Sequence, residues 1–270
     1  HQLRAGKEHI LMDTPTPKVP ALKLKRMQDL PVKGKRALVR VDFNVPMKGA
    51  KVADSRRIRE TLPTLKHLID AGAKLVLISH LGRPKGKPEA KYSLKPVVAE
   101  LAAFLGVPIA FSDDCVGAEA EKVVAGLKPG GVALLENLRF HAGEEANDPE
   151  FAKALSRLGD VFIQDAFGAL HRAHASTEGI IQFLKPAAAG LLMQKELEYL
   201  EKCTTNPEHP CIGILGGAKV SDKIQLIDNL LDKVNMLIVC GGMAFTFKKT
   251  LEGVSIGNSL FDKDGAEKVA

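Results

Sequence analysis

The chain has 270 residues, 45% of them hydrophobic and 26% charged, with a formal net charge of +6 at neutral pH. That is enough apolar material for a sizeable core, and no apolar run approaches the roughly 20 residues that a membrane-spanning helix needs. With no tryptophan, two tyrosines and no DNA- or RNA-binding motif, the composition argues against nucleic-acid recognition.

The first 27 residues are polar, carry Pro15, Pro17 and Pro20, and lack the apolar segment of a secretion signal. Met12 is a candidate natural start, and a short targeting extension is the alternative. Strand and helix signals then alternate. Residues 36–44 (RALVRVDFN) read as a strand, and 55–71 as a helix with Ile58, Leu62, Leu65, Leu68 and Ile69 on one face. Residues 74–80 form the next predicted strand, and Ser93 is expected to cap a helix that runs through Phe104 and ends at Gly106. Residues 108–111, 132–135 and 161–163 give three more strands, with helices near 117–126 and 149–158. Repeated strand–helix units predict an α/β fold: a three-layer, parallel, doubly wound (Rossmann-like) sheet with helices on both faces.

Residues 190–203 read as an amphipathic helix with no strand before it, followed by a polar, proline-flanked linker to Pro210. The alternation then restarts. A buried strand at 211–215, a helix from Ser221 to 233, a strand at 236–240 and a helix at 243–251 are expected. The organisation predicted is a unit over 1–190, a connector helix over 191–203 and a second unit over 204–270. Two strands are too few for an independent α/β domain, so that second domain is expected to be incomplete.

Charge is unevenly spread. Residues 1–172 hold 28 basic and 20 acidic side chains, whereas 173–270 hold 10 and 12, and all eleven arginines lie at or before Arg172. Clustered arginine suits planar anions such as carboxylate and phosphate; a merely solubilising basic surface is the plain alternative. The cysteines, Cys115, Cys203, Cys211 and Cys240, share no metal-ligand spacing, which points to a reducing compartment.

Ligands of open α/β sheets bind at the carboxyl ends of the strands. Those positions hold Asp42 and Asn44, then Ser79, His80 and Arg83, then Glu136, Asn137 and Arg139, and finally Asp165 with His171, Arg172 and His174 beyond it. Arg56, Arg57 and Arg59 open the first helix. Asp42 reads equally as a ligand contact or as the partner of an arginine. The His171-x-x-His174 spacing is not that of a helical zinc pair. No nucleophile set and no paired carboxylates for acid–base work are apparent. Residues 210–224 (PCIGILGGAKVSDKI) add a strand that turns through Gly216 and Gly217 towards a helix, with Lys219 and Lys223 beside it. Such a turn suits phosphate, although no Walker A pattern fits and an ordinary solvated turn is the alternative.

Seven motifs stand in order: RVDFNVP (40–46), RRI (56–58), SHLGRP (79–84), LLENLRF (134–140), DAFGALHRAH (165–174), GGAKVSDKI (216–224) and GGMAFTF (241–247). Together they make the chain from about residue 25 onward resemble phosphoglycerate kinase. The resemblance implies a glycolytic ATP:3-phosphoglycerate phosphotransferase, interconverting 1,3-bisphosphoglycerate plus ADP with 3-phosphoglycerate plus ATP. It implies a two-domain, cytoplasmic, monomeric enzyme without nucleic-acid or membrane partners, using Mg²⁺ with its nucleotide. The phosphoglycerate site would comprise Asp42, Asn44, Arg57, His80, Arg83, Arg139 and Arg172. Gly217, Lys219, Lys223, Gly241 and Gly242 would face the nucleotide, with Arg57 and Lys219 stabilising the transferring group. The metal ligand is expected beyond Ala270, so activity of these residues alone is doubtful on this reading. A half-enzyme that binds phosphoglycerate without turnover, and a nucleic-acid module using the basic segment, are the competing readings.

Overall fold

The computed structural model describes residues 24–205 and 207–269. Met12 and the three early prolines lie outside them. Six strands form the central sheet: β1 (Arg36–Arg40), β4 (Lys74–Ile78), β5 (Ile109–Ser112), β6 (Val132–Leu135), β7 (Val161–Gln164) and β8 (Ala187–Ala189). Their order is β5-β6-β4-β1-β7-β8 and all the pairs are parallel. A small antiparallel hairpin, β2 (Met47–Lys48) and β3 (Lys51–Val52), precedes the first helix.

Alternation along each strand fills two cores. Ala37, Val39, Leu75, Leu77, Val132, Leu134, Val161 and Ile163 pack on one face with Ile58, Leu65 and Leu68 of α1 (Arg56–Asp70) and Val97 and Leu101 of α2 (Val97–Leu105). Leu38, Val76, Ala133, Leu135 and Phe162 pack on the other, against α3 (Gly117–Ala125), α5 (Pro149–Ser156) and α6 (Ile180–Phe183); the short α4 (Ala142–Glu145) precedes α5. The chain is therefore doubly wound, as its periodicity predicts.

Two local expectations fail here. Ser93 is not a helix cap: its hydroxyl donates to the buried Glu136 carboxylate and accepts from Lys95 N–H, and α2 begins four residues later. The helix α7 (Leu191–Thr204) does follow a strand, because Ala187–Ala189 pairs with β7 at the sheet edge.

The root of α7 is tightly held. Leu191 N–H donates to Thr64 Oγ1 of α1 at 2.9 Å, and Met193 N–H donates to Asp165 Oδ1 at 3.1 Å. Gly190 has no side chain because a Cβ there would fall on the Asp165 carboxyl group. Asp165, read from sequence as part of the polar rim, thus points inward and caps this helix from the end of β7.

The carboxy-terminal part carries β9 (Ile212–Gly216), α8 (Ile224–Leu231), β10 (Met236–Cys240), α9 (Met243–Glu252) and α10 (Lys263–Val269). β9 and β10 pair in parallel. Their sheet covers one face only: Leu215, Leu237 and Val239 pack around Val220, Ile227 and Met243, while Ile212 and Ile214 stand 56% and 72% exposed. The strand expected to be buried is half bare. Nor does Ser221 open a helix; its N–H donates to Asp262 Oδ2 at 2.8 Å and α8 begins at Ile224.

Candidate functional site: an arginine rim and a paired glycine turn

Strands β6, β4, β1 and β7 are neighbours, so their carboxyl ends make one continuous rim. β1 delivers Arg40, Asp42 and Asn44; β4 delivers His80 and Arg83; β6 delivers Arg139; the loop after β7 delivers Arg172. Arg57 reaches in from the first turn of α1 and pairs with Asp42, as the ion-pair reading of that aspartate expects. Asn44 Oδ1 accepts from Gly82 N–H at 2.9 Å and ties the β1 and β4 ends together. Arg139 is buried, donates to the Gly82 carbonyl at 2.9 Å, and lies 3.2 Å from Glu145. Arg83 is exposed and Arg172 half-buried.

His80 lies at the centre. Burial pushes its pKa down to about 2, helped by the positive charges of Arg40, Arg139, Arg172 and Arg57. The ring is therefore neutral. Arg40 Nη2 lies 3.0 Å from Nδ1, and a guanidinium only donates, so Nδ1 accepts and the proton resides on Nε2. A neutral imidazole with a fixed Nε2–H is an anion donor that needs no protonation.

The repulsion among these arginines is offset from beneath. Arg40 is 1% exposed; its Nε donates to Ser176 Oγ at 2.9 Å, and Ser176 Oγ donates to Glu144 Oε1 at 2.6 Å. Ser176 N–H donates to Glu144 Oε2 at 3.0 Å. Burial lowers the pKa of Arg40 and the nearby Glu144 charge opposes that. Five guanidinium groups (Arg40, Arg57, Arg83, Arg139, Arg172) face three carboxylates (Asp42, Glu144, Glu145), which leaves the rim two charges positive. It is built to accept an anion. Sequence reading passed over Arg40 and Glu144. Arg40 carried a usable signal, since a charged residue inside a buried parallel strand requires a partner. Glu144 carried none, because its partners lie far off in the chain.

Two buried groups set opposing pH dependences. His80 binds protons more readily when unfolded, so its contribution to stability rises with pH between about 2 and 6.5. Burial raises the Asp165 pKa to about 7 against its hydrogen bonds from Thr64, Met193 and Leu192, so its contribution falls as pH rises from about 4 to 7. Between pH 4.5 and 6.5 the two slopes, each at most about 1.4 kcal/mol per pH unit, oppose one another. In urea unfolding, stability should fall with rising pH in His80→Gln and climb in Asp165→Asn. Parallel profiles for the two variants would contradict this assignment.

The second constellation belongs to the other sheet. Gly217 follows β9 and Gly241 and Gly242 follow β10. A Cβ on Gly241, whose φ is +72°, would lie 3.0 Å from the Gly217 carbonyl oxygen, and Met243 N–H donates to that oxygen at 2.9 Å. The two glycine turns therefore touch, side by side at the carboxyl ends of adjacent parallel strands. Lys219 is exposed and Lys223 half-buried, and neither forms an ion pair among the described residues. The cations and open backbone suit phosphate groups. Among the described residues no group of three His, Cys, Asp or Glu side chains lies at these turns to hold a metal. A Mg²⁺ ion arriving with nucleotide would be held chiefly by the phosphate oxygens themselves.

Known proteins resemble this chain over most of its length. A family model described as phosphoglycerate kinase matches residues 27–270. The phosphoglycerate kinase of Yarrowia lipolytica is 56% identical over 260 residues, covering 90% of this chain and 62% of the relative. That of Neurospora crassa is 57% identical over 260 residues, with the same coverage. The solved structure of phosphoglycerate kinase from Coxiella burnetii superposes with a TM-score of 0.79 at 41% identity, covering 91% of this chain and 61% of that one. The chain spans about 60% of the length of these relatives.

Proposed function

The chain belongs to the phosphoglycerate kinase family, and from that premise we propose that its arginine rim binds 3-phosphoglycerate and its glycine turns bind ATP or ADP. The reaction served is reversible phosphoryl transfer between 1,3-bisphosphoglycerate and ADP, giving 3-phosphoglycerate and ATP, a glycolytic step carried out in the cytoplasm. Residues 1–190 form the phosphoglycerate-binding domain, 191–203 the connector, and 204–270 part of the nucleotide-binding domain. The observation that carries the reading is the neutral His80 held among Arg40, Arg57, Arg139 and Arg172.

The chemistry suits this inventory. The acceptor in the ATP-consuming direction is a carboxylate, ionised at neutral pH, so no general base is needed. What is needed is to bring two polyanions together in line. Arg83, Arg139, Arg172 and the Nε2–H of His80 anchor the phosphate and carboxylate of phosphoglycerate, and Asp42 and Asn44 orient its hydroxyl face. Arg57, half exposed and held among the described residues by Asp42 alone, is free to turn towards the transferring phosphoryl group, with Lys219 approaching from the nucleotide side. Lys223, Gly217, Gly241 and Gly242 hold the nucleotide's phosphates and adenosine side. Binding without turnover is the second reading for these residues, since the arginine rim is assembled by the six-stranded sheet and α1 with no group from the glycine turns.

Isothermal titration calorimetry tests the assignment. The chain should bind 3-phosphoglycerate, and Arg83→Ala and Arg172→Ala should each weaken that binding about tenfold to a hundredfold, the worth of a charge-assisted hydrogen bond. Nucleotide binding should survive both substitutions. Tight nucleotide binding with no phosphoglycerate binding would reverse the assignment.

A further inference from the structure

We propose that Asp114, Cys115 and His141 form a binding site for one zinc-type divalent cation, at the edge of the sheet and separate from the anion rim. One ligand atom from each of the three lies within 4.8 Å of the other two. Asp114 and Cys115 follow β5, His141 follows β6, and those strands pair in parallel up to Ser112 and Leu135. The fold therefore converges residues 26 positions apart, which is why no cysteine–histidine spacing announces them.

The donors are already organised. His141 Nε2 lies 2.7 Å from Asp114 Oδ1, and the same oxygen accepts from Cys115 N–H at 2.6 Å. The imidazole stacks on Phe151 with ring centroids 5.1 Å apart, which fixes its plane. Cys115 is 1% exposed and its sulfur has no hydrogen-bond partner among the described residues. A cation set among these three residues would take all three donors at once, holding the sulfur as a thiolate and neutralising the Asp114 carboxylate.

An entry route is present. A cavity of about 560 Å³ opens beside the cluster, lined by Glu89, Asp113, Asp114, Glu136 and His141 among others, with no lysine or arginine in its wall. Among the described residues Asp114 has His141 as its one ion-pair partner, whereas Asp113 is met by Lys95. One sulfur, one imidazole nitrogen and one carboxylate oxygen suit Zn²⁺ with a water in the fourth position, and offer too few oxygens for Ca²⁺ or Mg²⁺. On binding, the metal takes the place of the hydrogen on His141 Nε2, the ring carries its proton on Nδ1 instead, and the Cys115 thiol proton leaves to solvent.

Cobalt spectroscopy decides the matter. A variant with Cys203, Cys211 and Cys240 changed to serine keeps Cys115 as its sole thiol. It should take up one equivalent of Co²⁺, with tetrahedral d–d absorption and a thiolate-to-cobalt charge-transfer band, and Zn²⁺ should bleach both. Cys115→Ala should abolish the charge-transfer band. His141→Gln keeps a hydrogen-bond donor for Asp114 but loses the ligand, and should weaken Co²⁺ binding about a hundredfold with an unchanged circular dichroism spectrum. Zn²⁺ should raise the Tm of the unsubstituted chain and leave that of His141→Gln unmoved. A band that survives His141→Gln, or Co²⁺ uptake with an octahedral, thiolate-free spectrum, would reduce the cluster to a hydrogen-bonded pair.

Discussion

Arg57→Ala should lower turnover by on the order of 10³-fold while disturbing the KM for phosphoglycerate far less. The measurement requires this chain continued to the full length of its phosphoglycerate kinase relatives, in a coupled assay run in either direction. The reason lies in how Arg57 is held. Arg139 and Arg40 are buried and committed to backbone or side-chain partners, whereas the Arg57 side chain is 50% exposed and, among the described residues, bound to Asp42 alone. A guanidinium on a short tether adds little to ground-state binding and much to a charge that appears at the transition state. A kcat within about threefold of the parent enzyme would remove Arg57 from that role, and an equal loss confined to KM would make it another substrate anchor.

Glu144→Ala should cost about 3–5 kcal/mol of folding stability, the penalty of stranding a buried charge whose partner is removed. Glu144 is fully buried, accepts two hydrogen bonds from Ser176, and its charge opposes the lowering of the pKa values of both Arg40 and Arg139. Without it, the centre of the rim holds guanidinium groups over a cavity. Urea unfolding measures the loss. Saturating 3-phosphoglycerate should recover part of it, because the ligand supplies negative charge to the same arginines. Ser176→Ala, which removes a neutral hydroxyl, should cost about 1 kcal/mol. Equal costs for the two variants would mean that Glu144 acts only as a hydrogen-bond acceptor.

What could be read in the chain follows from how local each signal is. RALVR and KLVLI are buried on both faces, and their apolar residues mark strands before any fold is known. α1 declares itself by its spacing and keeps Pro63 inside it, since the rest of the helix is anchored by Ile58, Leu65 and Leu68. Ala187–Ala189 is different. Three alanines favour no strand by themselves, and the strand exists because Phe162, Ile163 and Gln164 offer a parallel partner. Ser93 reads as a helix cap and Ser221 as a helix start, yet both are engaged by carboxylates distant in sequence, Glu136 and Asp262. The rim itself was legible as residues at strand ends. Its supporting layer of Glu144 and Ser176 was not, because charge compensation is decided by tertiary neighbours and leaves no periodic trace.

The root of α7 has a mechanical consequence. Its first turn is pinned by Thr64 and Asp165, from two different elements, and Gly190 admits the carboxyl group that does part of the pinning. The 14-residue helix is then a cantilever about 21 Å long, clamped at one end. A tilt of 10° at the clamp would carry its tip by about 4 Å, but only by breaking the bonds that tie it to the six-stranded layer. The direction of the helix is therefore set by Thr64 and Asp165, and its far end moves with α1 and β7 as one lever.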